Sequence, residues 1–199
     1  AASMTAAFEK GEPVTLPSAN TIADGTAVKR VGETIFPYCR ENIYKMVTVD
    51  DSELIGAFLD MVENHKMIVE NSGLLPVAAL SHLDLKDKKA VVVLSGGNMD
   101  VITMSSIVQH GLIQKDRIFS VSVLLPDKAG ELVKVASIIA KENGNVIKLE
   151  HNQFVSINRI NAVELRVTME AYGTEHKLSI LKALEEAGFE PKVVDTKLY

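Results

Sequence analysis

Ile118-Phe119-Ser120-Val121-Ser122-Val123-Leu124-Leu125 alternates apolar and small polar residues through most of its length, and Pro126-Asp127-Lys128-Ala129-Gly130 ends the run. Successive side chains of a strand point to opposite faces, so this period of two marks a strand. Outward from it, the spacing predicts a helix over Ala129–Asn143, where Leu132, Val135, Ala136, Ile139 and Ala140 recur at helical intervals. Gly144 stands where a left-handed C-terminal residue belongs. Val146–Phe154 reads as a second strand and Ile160–Met169 as a third, joined by a polar turn at Ser156-Ile157-Asn158-Arg159. Thr174–Ala187 predicts a second helix closed by Gly188, and Phe189–Val194 a fourth strand. The order βαββαβ is the split-βαβ, ferredoxin-like arrangement, four antiparallel strands with two helices on one face. An RNA-binding version carries stacked aromatics on its central strands and a basic face. The strand aromatics here are Phe119, Phe154 and Phe189, and Phe119 fits the core side.

Residues 1–116 pattern differently. Asp51–Lys66 predicts an amphipathic helix with Leu54, Ile55, Phe58, Leu59 and Val62 on one side, introduced by acidic residues that favour a helix N-terminus. Glu70–Leu83 predicts a second helix, apolar nearly all round and therefore buried, and Asn98–Ile113 a third. Lys89–Leu94 lacks polar alternation, as a parallel strand covered on both faces does. Such a strand needs neighbours, and this half offers only Val14-Thr15-Leu16 and Met46-Val47-Thr48-Val49. The expectation is an α/β class of which residues 1–116 are the trailing, incomplete part of a larger domain, followed by a complete small domain at 117–199.

Charge and composition narrow the function classes. Residues 1–116 hold 10 basic and 15 acidic residues, net −5, and the remainder holds 11 of each. The basic residues are scattered, which argues against a nucleic-acid surface built on clustered phosphate neutralisation. The longest apolar run, Ala90–Leu94, is far short of the roughly 20 residues that span a bilayer. No basic-then-apolar leader opens the chain, and one cysteine, Cys39, leaves no internal disulfide or zinc-type cluster. These features predict a cytoplasmic protein without structural metal, membrane segment or nucleic-acid partner.

Leu94-Ser95-Gly96-Gly97-Asn98 places two glycines between an apolar strand and a helix start. There the backbone can approach an anion or cofactor, with Ser95 and Asn98 supplying polar groups. The same residues equally fit a plain turn with Asn98 capping the helix. Asp24-Gly25 reads as a turn, and Glu70 as a helix-start carboxylate.

Together, TIADGTAV (Thr21–Val28), KRVG (Lys29–Gly32), VTVDD (Val47–Asp51), ENSGLLPVAA (Glu70–Ala79) and SGGNMD (Ser95–Asp100) resemble the carboxyl-terminal third of the catalytic domain of threonine dehydratases. These are pyridoxal-phosphate (PLP) enzymes of the tryptophan-synthase-β-like fold, fold type II. Val121–Pro191 is similar to the amino-acid-sensing ACT domain that follows in many of them. Asn71 stands where many relatives have proline. The resemblance implies that Ser95 faces the cofactor's pyridine nitrogen, Gly96 and Gly97 let the backbone approach the ring edge, Asn98 braces the turn, and Glu70 is an acid on the substrate side. It implies deamination of L-threonine to 2-oxobutanoate and ammonia. The Schiff-base lysine and glycine-rich phosphate loop of such enzymes have no counterpart pattern in these residues, so no PLP is expected on this chain alone and no turnover by it. In the ACT-like part the resemblance places an amino-acid effector on Asp127, Gly130, Glu131 and Leu132 of one chain and Asn145, Val146 and Ile147 of its mate, in a homodimer or tetramer. Two alternatives stay open: a stand-alone amino-acid-binding regulatory module, and a related PLP-dependent serine dehydratase or racemase.

Overall fold

The computed structural model describes residues 1–153 and 163–197. It divides into two units, Ala1–Gly111 and Leu112–Tyr199. The division falls inside a helix, α5 (Val101–Gln114), a few residues ahead of the expected boundary at 116/117.

The second unit has strands β1 (Ile118–Leu125), β2 (Asn145–Asn152), β3 (Val163–Glu170) and β4 (Lys192–Val194), with helices α6 (Glu131–Lys141) and α7 (Thr174–Glu186). The sheet order is β2-β3-β1-β4 with every pairing antiparallel, which is the ferredoxin-like topology. Period two explains the core: Phe119, Val121, Val123 and Leu125 of β1 face the same side as Leu165, Val167 and Met169 of β3, and all are buried with Val135, Ile139, Ile180 and Leu184 of the helices. The opposite face is polar, with the Ser120 and Thr168 hydroxyls 2.8 Å apart and Ser122 Oγ donating to Glu164 at 2.6 Å. The expected turn at Ser156–Arg159 and the strand ends at Phe154 and Ile160–Ala162 lie outside the described residues.

Gly144 is not the left-handed residue after α6. Asn143 takes that conformation (φ 62°), while the Asn143 and Gly144 N–H groups donate to the carbonyls of Ala140 and Ile139. Gly144 is instead a contact position, where a Cβ would lie 2.7 Å from Ile139 Cγ2.

In the first unit α1 (Ser3–Lys10) and α2 (Ile35–Asn42) enclose a small cluster in which the rings of Phe8 and Phe36 meet edge to face at 5.9 Å. Helix α3 (Asp51–Asp60) packs Leu54, Ala57 and Phe58 with Leu74 and Ala78 of α4 (Asn71–Ala78). A capping box starts α3: Asp50 Oδ1 accepts from the Glu53 N–H, and Glu53 Oε2 accepts from the Asp50 N–H. The expected single helix to Lys66 ends early, passing into a π-helical turn over Met61–His65 that Lys66 closes at φ 58°. Helix α4 is not buried all round, since Pro76 is exposed and Leu75 and Val77 are half-buried.

Three further expectations fail here. Lys89–Leu94 forms no strand, nor do Val14–Leu16 or Met46–Val49, because a strand exists only against a partner ladder and no segment of this unit supplies one. Val91 and Val93 are 93% and 71% exposed as a result. Helix α5 runs over Val101–Gln114, later than expected, and its start is capped by Asp100, not Asn98. Asp100 Oδ1 accepts from the Ile102 and Thr103 N–H groups at 3.0 and 2.9 Å.

The other end of α5 closes on Asp116 in the left-handed conformation (φ 54°), with the Arg117 N–H donating to Leu112 O at 2.8 Å. The Asp116 carboxylate accepts from Lys177 Nζ at 2.7 Å and Thr174 Oγ1 at 2.8 Å, pinning the first turn of α7. The Lys177 ammonium, and then the Thr174 hydroxyl, hold this carboxyl below its ordinary value. A depressed folded value stabilises above the unfolded value, near 4, and that contribution disappears as pH falls below it through the folded value. Asp116→Asn should therefore cost about 1 kcal/mol at neutral pH and reduce the loss of stability below pH 4. Urea titrations at pH 7 and pH 3 check this; equal losses at both pH values would dismiss the ion pair.

Candidate functional site

The TIADG segment is built onto the rest of the first unit by hydrogen bonds. Asp51, the first residue of α3, accepts from Thr21 Oγ1 at 2.6 Å and from the Ile22 N–H at 3.1 Å. Asn71, buried at the first turn of α4, donates from Nδ2 to Ile22 O at 2.9 Å. Proline at position 71 has no side-chain donor, so the amide there supplies a tie that proline cannot. Gly25 then sits in a single 3₁₀ turn (Asp24–Thr26), where a Cβ would lie 2.7 Å from Ser72 Oγ.

Glu70 precedes α4 as its N-cap, half-buried, and its N–H donates to Gly96 O at 3.4 Å. Its carboxylate occupies the space a side chain on Gly96 would need, and Gly96 takes φ +73°, where a glycine carries no Cβ penalty. One turn into α4, a Cβ on Gly73 would overlap the Ser95 carbonyl oxygen. The TIADG turn, the start of α4 and the Ser95–Asn98 turn thus converge, with Glu70, Ser72 and Gly73 at the centre. Ser72 Oγ is buried without a hydrogen-bond partner among the described residues, and a buried hydroxyl in that state costs stability unless something else satisfies it.

Of the expected residues, Glu70 and Gly96 come together, and Ser95 contributes its backbone to the contact with Gly73. Ser95, Gly96, Gly97 and Asn98 are all exposed. Sequence reasoning missed Ser72, Gly73, Asn71 and Asp51 as builders of the site. The one available signal was the ENSG run directly ahead of an apolar helix.

The expected effector residues are not brought together within one chain. Gly130 is exposed at φ +94°, Asp127 is exposed, Leu132 packs on the core, and Glu131 pairs with Lys134 at 2.7 Å. All lie beyond the Leu125 end of β1. Asn145 is level with Glu170 and Ile118, at the opposite end, where it donates from Nδ2 to Glu170 at 2.8 Å, and Val146 and Ile147 follow, both exposed. Eight residues of strand separate the groups, about 26 Å.

Among the described residues no cluster of three or more His, Cys, Asp or Glu side chains could hold a metal ion, and no helix is long and apolar enough to cross a membrane.

Residues 1–96 match the family model described as pyridoxal-phosphate dependent enzyme. Over 184 residues the chain is 34% identical to the L-threonine ammonia-lyase of Geobacter sulfurreducens, covering 92% of this chain and 46% of that protein. Identity to the L-threonine ammonia-lyase of Thermotoga maritima is 31% over 193 residues, covering 96% and 48%. The processed form of threonine deaminase isoform 2 from Solanum lycopersicum superimposes with a TM-score of 0.50 at 32% identity, over 55% of this chain and 31% of that one. The chain spans about half the length of the curated relatives it matches.

Proposed function

We propose that residues 1–111 are part of the PLP-binding catalytic domain of a threonine ammonia-lyase and that the second unit is its amino-acid-sensing ACT domain, in a cytoplasmic homodimer or tetramer. The observation that carries this reading is the convergence of Glu70, Ser72 and Gly73 with the Gly96 turn, because the family match and these contacts fall on the same residues. The residues present fit one side of a PLP ring: at Gly97 a Cβ would meet only the Ile68 carbonyl oxygen, at 3.9 Å, so the backbone there is open to approach, and Ser72 Oγ is a buried hydroxyl without a hydrogen-bond partner among the described residues. When bound, PLP supplies an electron sink for bond breaking at the substrate α-carbon. Ser95 would donate its hydroxyl to the pyridine nitrogen and leave it neutral, where a carboxylate would hold it protonated. Asn98 would brace the turn, and Glu70 would hold a proton on the substrate side. The overall change converts threonine to 2-oxobutanoate and ammonia; the water eliminated from the β-carbon is matched by one taken up on hydrolysis.

A sensor site sharing Asp127–Leu132 and Asn145–Ile147 needs two chains, since one chain holds them at opposite ends of its sheet. This supports assembly as part of the reading.

The test is a full-length parent protein assayed with threonine and serine. Threonine should be deaminated faster, and Ser95→Ala should lower turnover about two- to tenfold with the fold intact, the value of one neutral hydrogen bond. The 199-residue chain by itself should give none, because no lysine lies in a Ser-Phe-Lys context. Racemisation of serine without deamination of threonine would replace the lyase with the racemase alternative.

A further inference from the structure

Both backbone polar groups of Ile22 are taken by side chains from two different helices. Asp51 of α3 accepts from its N–H at 3.1 Å, and Asn71 of α4 donates from Nδ2 to its carbonyl at 2.9 Å. Beyond Ile22 the hydrogen bonds run within the segment: the Thr26 N–H and hydroxyl donate to Ala23 O at 3.0 and 2.9 Å, and the Ala27 N–H to Asp24 O at 2.9 Å. We infer that Asn71 is a positioning residue: by holding Ile22 it fixes the Asp24–Thr26 turn as a wall beside Glu70, and so sets how tightly substrate binds rather than how fast it reacts.

The wall is close. A Cβ on Gly25 would lie 2.7 Å from Ser72 Oγ and 3.8 Å from Glu70 Oε1, so the backbone of the turn stands against the start of α4 and its N-cap carboxylate. Packing alone does not keep it there, because the turn also borders a cavity of about 430 Å³ whose lining includes Ala23, Gly25, Thr26, Val47, Val49 and Leu75. A backbone with open space beside it can shift unless it is bonded. Asn71 is buried, so its hydrogen bond is shielded from the water that weakens an exposed one.

With Glu70 on the substrate side, as in the lyase proposed above on which this inference rests, a fixed wall is already ordered when substrate arrives. A loose wall has to be ordered by binding, which lowers affinity. Turnover is spared, since Glu70 and Gly96 are joined by their own hydrogen bond, from the Glu70 N–H to Gly96 O, and not through the TIADG turn. A rise in KM without a change in kcat is the kinetic mark of such a loss.

The backbone at this point tolerates a test. Asn71 is the first residue of α4, where a missing N–H loses no intrahelical bond, and Glu70 before it has φ −64° and ψ 153°, the extended conformation that a residue preceding proline adopts. Asn71→Pro therefore removes the amide and keeps the helix start. Asn71→Asp keeps the shape and sets an acceptor against Ile22 O; it decides the matter if Asn71→Pro does not fold.

The experiment has two readouts. In the 199-residue chain, amide exchange at Ala23, Thr26 and Ala27 should quicken about three- to tenfold in both variants, the range of one hydrogen bond, with α3 and the middle of α4 unchanged. In the full-length lyase proposed above, KM for threonine should rise about three- to tenfold with kcat within about twofold. Wild-type exchange and KM in both variants would overturn the inference. So would a fall in kcat at constant KM, or protection lost throughout α3 and α4, either of which makes Asn71 a merely structural residue. Faster exchange at the turn in a full-length protein that deaminates neither threonine nor serine would remove the lyase reading and leave the Asn71 tie standing.

Discussion

Gly73→Ala should be the most damaging single methyl in the first unit, destabilising it by about 1–3 kcal/mol and, in the full-length threonine ammonia-lyase proposed above, lowering kcat/KM about a hundredfold. The added Cβ falls on the carbonyl oxygen of Ser95, a backbone atom that no rotamer change can move away. Either the start of α4 or the Ser95–Asn98 turn must shift. Overpacking of this kind costs about 1–3 kcal/mol, and a displacement near 1 Å in catalytic groups can cost about 10²-fold in rate. The control is Gly56→Ala in α3, where nothing lies within 4 Å of the new methyl. There the substitution should be stabilising by about 0.4–1 kcal/mol, because the unfolded chain loses freedom and the helix loses nothing. Urea midpoints of the two variants are the measurement. If Gly73→Ala matches the wild type in both midpoint and parent turnover, the convergence of α4 with the glycine turn is not what positions the site.

The second large effect should come from the two cores. Phe58 is fully buried among Leu54, Leu74 and Ala78, and Ile180 is fully buried against the sheet of the second unit. Phe58→Ala should cost about 3–5 kcal/mol and Ile180→Ala about 2–5 kcal/mol, each through lost burial plus the cavity left behind. Amide hydrogen exchange should localise them: α3 loses protection in Phe58→Ala, and β1 and β3 lose it in Ile180→Ala. Loss of protection in β1 and β3 on Phe58→Ala would mean that the two cores are not separately maintained.

The second unit was legible because its signals are local. Alternation over Ile118–Leu125 put Phe119, Val121 and Val123 on one side, and the structure buries them. Helix α7 ends at Glu186 with Gly188 at φ +85°, close to where Gly188 was expected to close it. Gly144 misled because a glycine after a helix signals either a backbone need or a spatial one, and only packing against Ile139 and Ile180 distinguishes them. The run Ala90–Leu94 misled for a different reason. Valine favours strands only where a pleated, partnered surface receives it, and these residues have no partner ladder in this unit.

What the sequence determined by itself was the βαββαβ order, the helix at Asp51 with its acidic start, and the co-occurrence of TIADG with SGGN, all of which rest on period, capping and residue type within a short window. The tertiary structure alone decided which of those motifs touch. It set the Glu70 carboxylate against Gly96, the Ser95 carbonyl against Gly73 and the Asn71 amide on Ile22. Those contacts join residues up to 49 positions apart: Asn71 and Ile22 are brought together by the docking of the TIADG turn on α3 and α4. No local window contains both partners, so only the closed fold can specify them.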